Sequence, residues 1–185
     1  TVRALLSAVP AAFVGYAVMR LFGHHEGRLR VVVPFGPLDV VRLAAFAVDT
    51  IGRRFYTLRV KDLATGALLD DVIPDVTGEA AWALDNRTIF YTRQDPQTLR
   101  SWQVWRHVLG TPVAQDVLVH QEDDVTFECS VSRTKSDRYL LIASSQTLSD
   151  EVRLLEADDP LGAFRVFQPR QRGLEYAVEH QGDRF

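Results

Sequence analysis

The sequence predicts an all-β fold, a partial β-propeller, and three observations support this prediction. From Leu43 onward the chain consists of short runs rich in β-branched and aromatic residues, with almost no sustained helical period. Turn-forming residues separate these runs. Similar strands recur at intervals of 46 and 48 residues, and a four-stranded propeller blade requires a repeat of about that length.

Three strands that open alike define the repeat. They read YTLRV, QVWRH and EVRLL, and they align on Leu58, Val104 and Val152. Each follows an apolar strand and precedes a hairpin-type turn. One full cycle has four predicted strands, at residues 80–83, 88–92, 103–108 and 116–120. The chain is therefore predicted to hold somewhat under three four-stranded blades, beginning near Leu43 and ending at the first turn of another blade.

Composition bounds the function classes. The chain has 185 residues, 46% of them hydrophobic and 24% charged, which is typical of a soluble globular protein. A net charge of −3 argues against nucleic acid as a partner, because phosphate neutralisation needs a basic face. The single cysteine, Cys129, cannot form an internal disulfide and permits a reducing compartment. We therefore expect a cytoplasmic protein.

Residues 1–42 form an apolar N-terminal segment that is set apart from the predicted domain at residues 43–185. Within it, residues 4–19 are uncharged and could be read as the core of a signal peptide or as a short membrane helix. Pro10 and Gly15 interrupt this run, so a membrane span is not expected. Two other interpretations stay open: a buried segment, and a segment that is not native to the domain that follows.

The common catalytic motifs are missing from the sequence. No serine lies in Gly-x-Ser-x-Gly, the elbow that presents the nucleophile of α/β-hydrolases. There is also no phosphate-binding glycine loop, no Cys-x-x-Cys and no His-Glu-x-x-His. We therefore predict no catalytic, cofactor-binding or metal-binding residue, and no cofactor.

Several groups of polar residues could in principle form a site, but solvated or structural roles are expected for them. Adjacent side chains in His24-His25-Glu26 point apart on an extended chain and are expected to be solvated. Cys129 lies in a strand-like run, where we expect a structural thiol rather than a nucleophile. The acidic triplet Glu122-Asp123-Asp124 could coordinate a cation or receive a basic partner, but solvated carboxylates are the favoured interpretation.

Arginine and tryptophan residues gave two further candidates. Arg53-Arg54 links two predicted strands and could pair with Asp49 or a docked domain, although an exposed turn is favoured. The three tryptophans could form a sugar or base platform, but core packing is favoured because they lie among strand residues, at Trp82, Trp102 and Trp105.

Several segments resemble the propeller of oligopeptidase B, a branch of the prolyl oligopeptidase family of serine peptidases. The longest are FAVDTIGRRFYTLRVKDLATG at 46–66, WALDNRTIFYTR at 82–93 and QVWRHVLGT at 103–111. Shorter segments that resemble the same domain lie at residues 133–136, 139–142 and 179–185. The resemblance is collinear from about residue 43 to residue 185, whereas residues 37–42 depart from the Ser-Pro-Asp-type turn of the family pattern.

The resemblance implies a two-domain enzyme in which a seven-bladed propeller caps an α/β-hydrolase domain. Such an enzyme would admit short peptides and cleave them after Arg or Lys, and its Ser, Asp and His would lie beyond this chain. The chain would then be part of the gating cap, with the hydrolase domain of the same parent chain as its partner, and would be inactive alone. The alternative is a free-standing propeller-like interaction module, because a fold alone does not fix function.

Overall fold

A computed structural model describes residues 28–32 and 42–185, with side chains from residue 42 onward. These residues form strands and turns, with one short 3-10 turn at Val113–Gln115. The strands are β1 Arg28–Val32, β2 Leu43–Asp49, β3 Tyr56–Asp62, β4 Leu68–Trp82, β5 Thr88–Gln94, β6 Ser101–Val108, β7 Val117–Gln121, β8 Glu128–Arg133, β9 Tyr139–Gln146, β10 Ser149–Glu156 and β11 Arg165–Gln168. The predicted all-β class is confirmed.

The strands pair antiparallel throughout, in two sheets. One has the order β1-β2-β3-β4-β5-β6-β7 and the other the order β11-β10-β9-β8. Strand β4 belongs to two units, because its residues up to Val76 pair with β3 and its residues from Val76 onward pair with β5. The pairing with β5 shifts register between Val76 and Ala80. Gly78 lies within this break with a φ of 87°, and Asp75 just before it has a φ of 59°.

The division at β4 splits the seven-stranded sheet into two four-stranded blades that share this strand. The four-stranded sheet is a third blade. The first blade contains β1, β2, β3 and the start of β4; the second contains the end of β4, β5, β6 and β7; the third contains β8 to β11. Leu58, Val104 and Val152 each lie on the third strand of a blade, so the predicted repeat is confirmed. The partial propeller is confirmed as well, with three four-stranded blades where somewhat under three were predicted, because β1 completes the first blade.

Local sequence explains the hairpin turns. At the turn before β5, the Asp85 carboxylate accepts hydrogen bonds from the backbone N–H groups of Arg87 and Thr88, at 3.0 and 2.8 Å. Asn86, between Asp85 and Arg87, adopts a left-handed φ of 52°, a conformation that Asn tolerates better than most residues. The corresponding turn of the third blade has Asp137 at φ 64°. The turn near the C-terminal end of the chain has Gly182 at φ 62°.

Apolar side chains fill the space between neighbouring blades. Between the first and second blades lie residues such as Leu58, Ile73 and Trp82, which are 1% exposed. Between the second and third blades lie Phe90 and Ile142, among others. We call these contacts the first interface and the second interface. Successive side chains of a strand point to opposite faces of its blade, so the second blade contributes apolar side chains to both interfaces.

The outer face of the third blade carries a smaller cluster. Leu141, Val152 and Leu154 are buried there, and Tyr176 and Val178 from the C-terminal segment pack against them. The Tyr176 hydroxyl also accepts a hydrogen bond from the backbone N–H of Val152, at 2.8 Å. The C-terminal segment therefore covers part of a face that would otherwise be open.

Strand β1 lies inside the segment 1–42 that the sequence analysis set apart, and its backbone pairs with β2 from Arg28 opposite Asp49 to Val32 opposite Ala45. The first blade is thereby a four-stranded unit. The apolar run at residues 4–19 and the His24-His25-Glu26 group lie outside the described residues.

Candidate functional site

A buried polar network crosses the first interface, and its centre is His107 on β6. Nε2 of His107 lies 2.9 Å from Oδ1 of Asp71 on β4, and Nδ1 lies 2.6 Å from Oδ1 of Asp116. The imidazole is 0% exposed, and both carboxylates are nearly as buried. The ring therefore links a carboxylate on β4 to one in the loop before β7.

Further hydrogen bonds satisfy the two carboxylates. The Tyr91 hydroxyl donates to Oδ2 of Asp116 at 2.8 Å, and the backbone N–H of Gly110 donates to Oδ1 of Asp71 at 2.6 Å. Burial and the hydrogen bond to Asp116 raise the pKa of Tyr91, so its phenol stays a donor at neutral pH. A buried network of this kind fixes the relative position of the elements it joins.

The second interface carries a network of ion pairs centred on Arg170, which follows β11. Its guanidinium contacts both carboxylate oxygens of Glu122, at 3.3 and 2.8 Å, and an oxygen of Glu151 at 3.4 Å. Its Cζ lies 4.1 Å from the centroid of the Phe127 ring. Glu122 follows β7 of the second blade, so Arg170 ties the outer end of that blade to the third.

These contacts keep both glutamates ionised. Burial works to raise the pKa of Glu122 and of Glu151, but hydrogen bonds and charge outweigh it and the net pKa of each is lowered. Arg170 supplies the principal opposing hydrogen bonds in both cases. The pKa of Arg170 is raised by the same pairing. The second interface is thus held by permanently charged groups at neutral pH.

A serine and a histidine meet beside this network without the geometry of an activated nucleophile. Nε2 of His120 lies 3.3 Å from Oγ of Ser144. Ser144 is 0% exposed, and its hydroxyl donates to the Glu122 carboxylate, so this carboxylate does not orient the histidine as the acid of a triad would. Burial lowers the pKa of His120, with Arg153 contributing. The Ser144 hydroxyl is therefore enclosed by the chain on all sides.

The acidic triplet is one place where the sequence interpretation was wrong. Solvated carboxylates were expected, but Glu122 is 3% exposed and paired with Arg170. Asp123 and Asp124 are exposed as expected, and Asp124 accepts the N–H of Thr126 within the loop. No local pattern around Glu122 predicts this pairing, because Arg170 lies 48 residues away in the sequence.

Cys129 and the pair Arg53-Arg54 lie in the environments that the sequence analysis favoured for them. Cys129 is buried on β8, and burial, with the Glu122 charge adding to it, raises the pKa of its thiol to about 12. Arg53 and Arg54 form an exposed turn, and Asp49 binds the backbone N–H of Arg54 rather than a guanidinium.

The tryptophans do not form a common platform. Trp82 is buried in the first interface and Trp105 packs against that core, which confirms the packing interpretation for these two. Trp102 is half-buried, with the Arg100 guanidinium carbon 5.9 Å from its ring centroid.

Within residues 42–185, no three His, Cys, Asp or Glu side chains converge as ligands for a metal ion. Asp71 and Asp116 illustrate why, because they lie on opposite sides of the His107 ring. Across the part of the chain that the structure describes, there is also no helix with the length and apolarity that a membrane crossing requires.

Fold and site together define a class: a β-propeller segment whose buried polar groups join blades. A family model described as the prolyl oligopeptidase N-terminal beta-propeller domain matches residues 39–185. The chain therefore belongs to the prolyl oligopeptidase family of peptidases and corresponds to part of its N-terminal propeller.

Curated relatives agree with this assignment. Dipeptidyl aminopeptidase BI from Pseudoxanthomonas mexicana is 45% identical over 144 residues, which is 78% of this chain and 20% of that protein. Protease 2 from Moraxella lacunata is 36% identical over 157 residues, which is 84% of this chain and 22% of that protein. The chain thus spans about a fifth of the length of these relatives.

Solved structures agree on the fold. Oligopeptidase B from Leishmania major superposes with a TM-score of 0.77 at 28% identity, over 89% of this chain and 23% of that one. Oligopeptidase B from Trypanosoma brucei, in a closed form with covalently bound antipain, gives 0.72 at 26% identity, over 85% and 22%. The resemblance to oligopeptidase B found in the sequence is confirmed.

Proposed function

We propose that this chain is part of the propeller cap of a serine oligopeptidase that hydrolyses short peptides after Arg or Lys. The observation that supports the proposal most is the propeller match over residues 39–185 in a chain that spans about a fifth of its peptidase relatives. The part of the chain that resembles the family propeller is proposed to begin near residue 43, and β1 from the preceding segment completes the first blade by pairing with β2. We place the protein in the cytoplasm, which its single cysteine permits.

Catalysis in this proposal takes place in an α/β-hydrolase domain elsewhere in the parent protein. A serine activated by histidine would attack the peptide carbonyl, and an oxyanion hole would stabilise the tetrahedral intermediate. Part of the cap is this chain's contribution: it would restrict access to that site to short peptides and dock onto the hydrolase domain.

The two interface networks suit a gating role. A cap excludes large substrates only if its blades keep their spacing, and buried polar networks resist sliding because separation would leave hydrogen-bonding groups unpaired. His107 at the first interface and Arg170 at the second each join groups on neighbouring strands or blades. We propose that these networks keep the cap rigid.

A specific observation favours a second substrate class. One relative, at 45% identity, is named a dipeptidyl aminopeptidase. Release of dipeptides from a free N-terminus is therefore a further activity to assay in the parent protein, alongside cleavage after basic residues.

The test is hydrolysis of an Arg-blocked fluorogenic dipeptide by the purified chain, with and without a separately expressed hydrolase domain of the family. We expect no hydrolysis by the chain alone and hydrolysis limited to short substrates when both parts are present. Activity of the chain alone would contradict the assignment of catalysis to another domain. Failure to bind the hydrolase domain, from a folded chain, would favour the free-standing interaction module.

A further inference from the structure

Arg93 on β5 has a guanidinium that is held in place by aromatic rings, and within residues 42–185 it forms no ion pair with a carboxylate. Its Cζ lies 5.5 Å from the centroid of the Tyr91 ring and 5.0 Å from that of Trp105. Its Nε is buried and has no hydrogen-bond partner among the residues that the structure describes.

The aromatic rings account for the position of the guanidinium but not for its hydrogen bonds. An aromatic face below the guanidinium attracts the cation electrostatically, but it does not accept the N–H hydrogen bonds that point outward in the plane of the guanidinium. Tyr91 and Trp105 are themselves fixed, because the Tyr91 hydroxyl donates to Asp116 and the Trp105 indole N–H donates to Gln103 at 3.1 Å. Arg93 is therefore a pre-positioned fork of donors.

Polar side chains continue from Arg93 across the second blade. Gln103 is its cross-strand neighbour on β6, and Gln121 is the neighbour of Gln103 on β7. The Gln103 amide donates to Gln121 at 2.7 Å, and Gln121 donates to Asp123 at 2.8 Å. These bonds orient the row, and Arg93 is its only cation. Arg93 pairs with Val76 on β4, which is the residue where β4 passes from the first blade to the second. The polar row therefore begins at this crossing point.

We propose that Arg93 is a binding site for a single carboxylate at the first interface. A planar guanidinium matches a carboxylate in both geometry and charge, and the two form paired N–H···O bonds. The carboxylate could belong to the C-terminus of a peptide or to an Asp or Glu side chain of a bound segment. This site does not depend on the proposed peptidase function, because binding is measured without hydrolysis.

The experiment follows the Trp105 indole N–H signal by NMR during titration with three short peptides. One has a free C-terminal carboxylate, one is amidated and uncharged, and one is amidated with an internal Asp. We expect saturable shifts with one or both carboxylate peptides and none with the uncharged peptide. The free-acid and Asp arms separate the two sources. Equal shifts with the uncharged peptide, or no shift with either carboxylate, would overturn the proposal.

Variants tie the binding to Arg93. Arg93→Gln should weaken carboxylate binding at least about tenfold, and Arg93→Lys should weaken it less because the charge is kept but the fork is lost. Arg87→Gln is the matched control. Arg87 is an exposed arginine that immediately precedes β5, at the end of the strand away from Arg93. If Arg93→Gln does not fold, Arg93→Lys carries the test. Unchanged binding in both Arg93 variants, or an equal loss in Arg87→Gln, would refute the site.

Discussion

His107 shows how one residue joins two strands that are distant in sequence. Both ring nitrogens face carboxylate oxygens, so the arrangement needs a proton on each nitrogen or on a carboxylate. Replacing the ring by an apolar side chain would leave two buried carboxylates without their partner. The value of His107 therefore lies in the groups it satisfies.

We predict that His107→Leu lowers the free energy of unfolding by about 3 kcal/mol or more, because it strands Asp71 and Asp116 in the interior. His120→Leu is the control: His120 makes one long contact to Ser144, so we expect a loss of about 1 kcal/mol. Urea unfolding of both variants measures the difference. Equal losses would mean that the His107 network is not special.

The charges around Arg170 predict a pH dependence of stability. Glu122 and Glu151 have lowered pKa values in the folded chain, so their contribution is fully present above the ordinary glutamate pKa and is lost as pH falls through the lowered values. We expect the urea midpoint to hold above about pH 5 and to fall as the pH drops below the ordinary glutamate pKa of about 4.3.

The variant Arg170→Gln should flatten this dependence and cost about 2 kcal/mol at neutral pH, since the arginine is partly exposed and its pairs are partly screened. Arg165→Gln, which removes an exposed arginine from the same blade, should change neither quantity. A pH profile of Arg170→Gln that parallels the unchanged chain would contradict the assignment.

At the scale of the element, the hairpin turns depend on residues that tolerate a left-handed backbone. Asn86 has φ 52° in the turn before β5. We predict that Asn86→Val costs about 1–2 kcal/mol, because a branched Cβ clashes in this region, whereas Asn86→Gly is close to neutral. Thermal unfolding of the two variants tests this. A neutral Asn86→Val would mean that the turn rearranges.

Strands and turns were predictable from sequence because their causes are local. Alternating side chains and turn residues placed strands such as β5 and β9, and the repeat assigned them to blades. Contacts between blades were not predictable, since Asp71 is 36 residues away from His107. The first part of β4 was also missed. It contains Pro74, which weakens a strand pattern but is tolerated on the edge of a blade.

At the scale of the whole molecule, the outer strands leave apolar groups in water. Val117 on β7 and Phe167 on β11 are each 44% exposed on strands at the ends of their pairing order. Unpaired apolar edges favour association. We predict that the chain self-associates with rising concentration, as measured by light scattering coupled to size exclusion.

The charged variant Phe167→Lys should reduce this association, and Val125→Lys, in the exposed loop before β8, should not. A sharp, reversible thermal transition from a dilute monomer, with no dependence on concentration, would show that the isolated chain is not limited by its open edges.

The sharing of β4 between two blades has a consequence for how the molecule opens. Fraying the first blade withdraws hydrogen bonds from the strand that begins the second, so neither can open alone at low cost. The third blade is joined through a loop at residues 122–127 rather than through a shared strand. In native-state hydrogen exchange, we expect amides of the first two blades to exchange as one cooperative unit and those of the third blade to exchange separately.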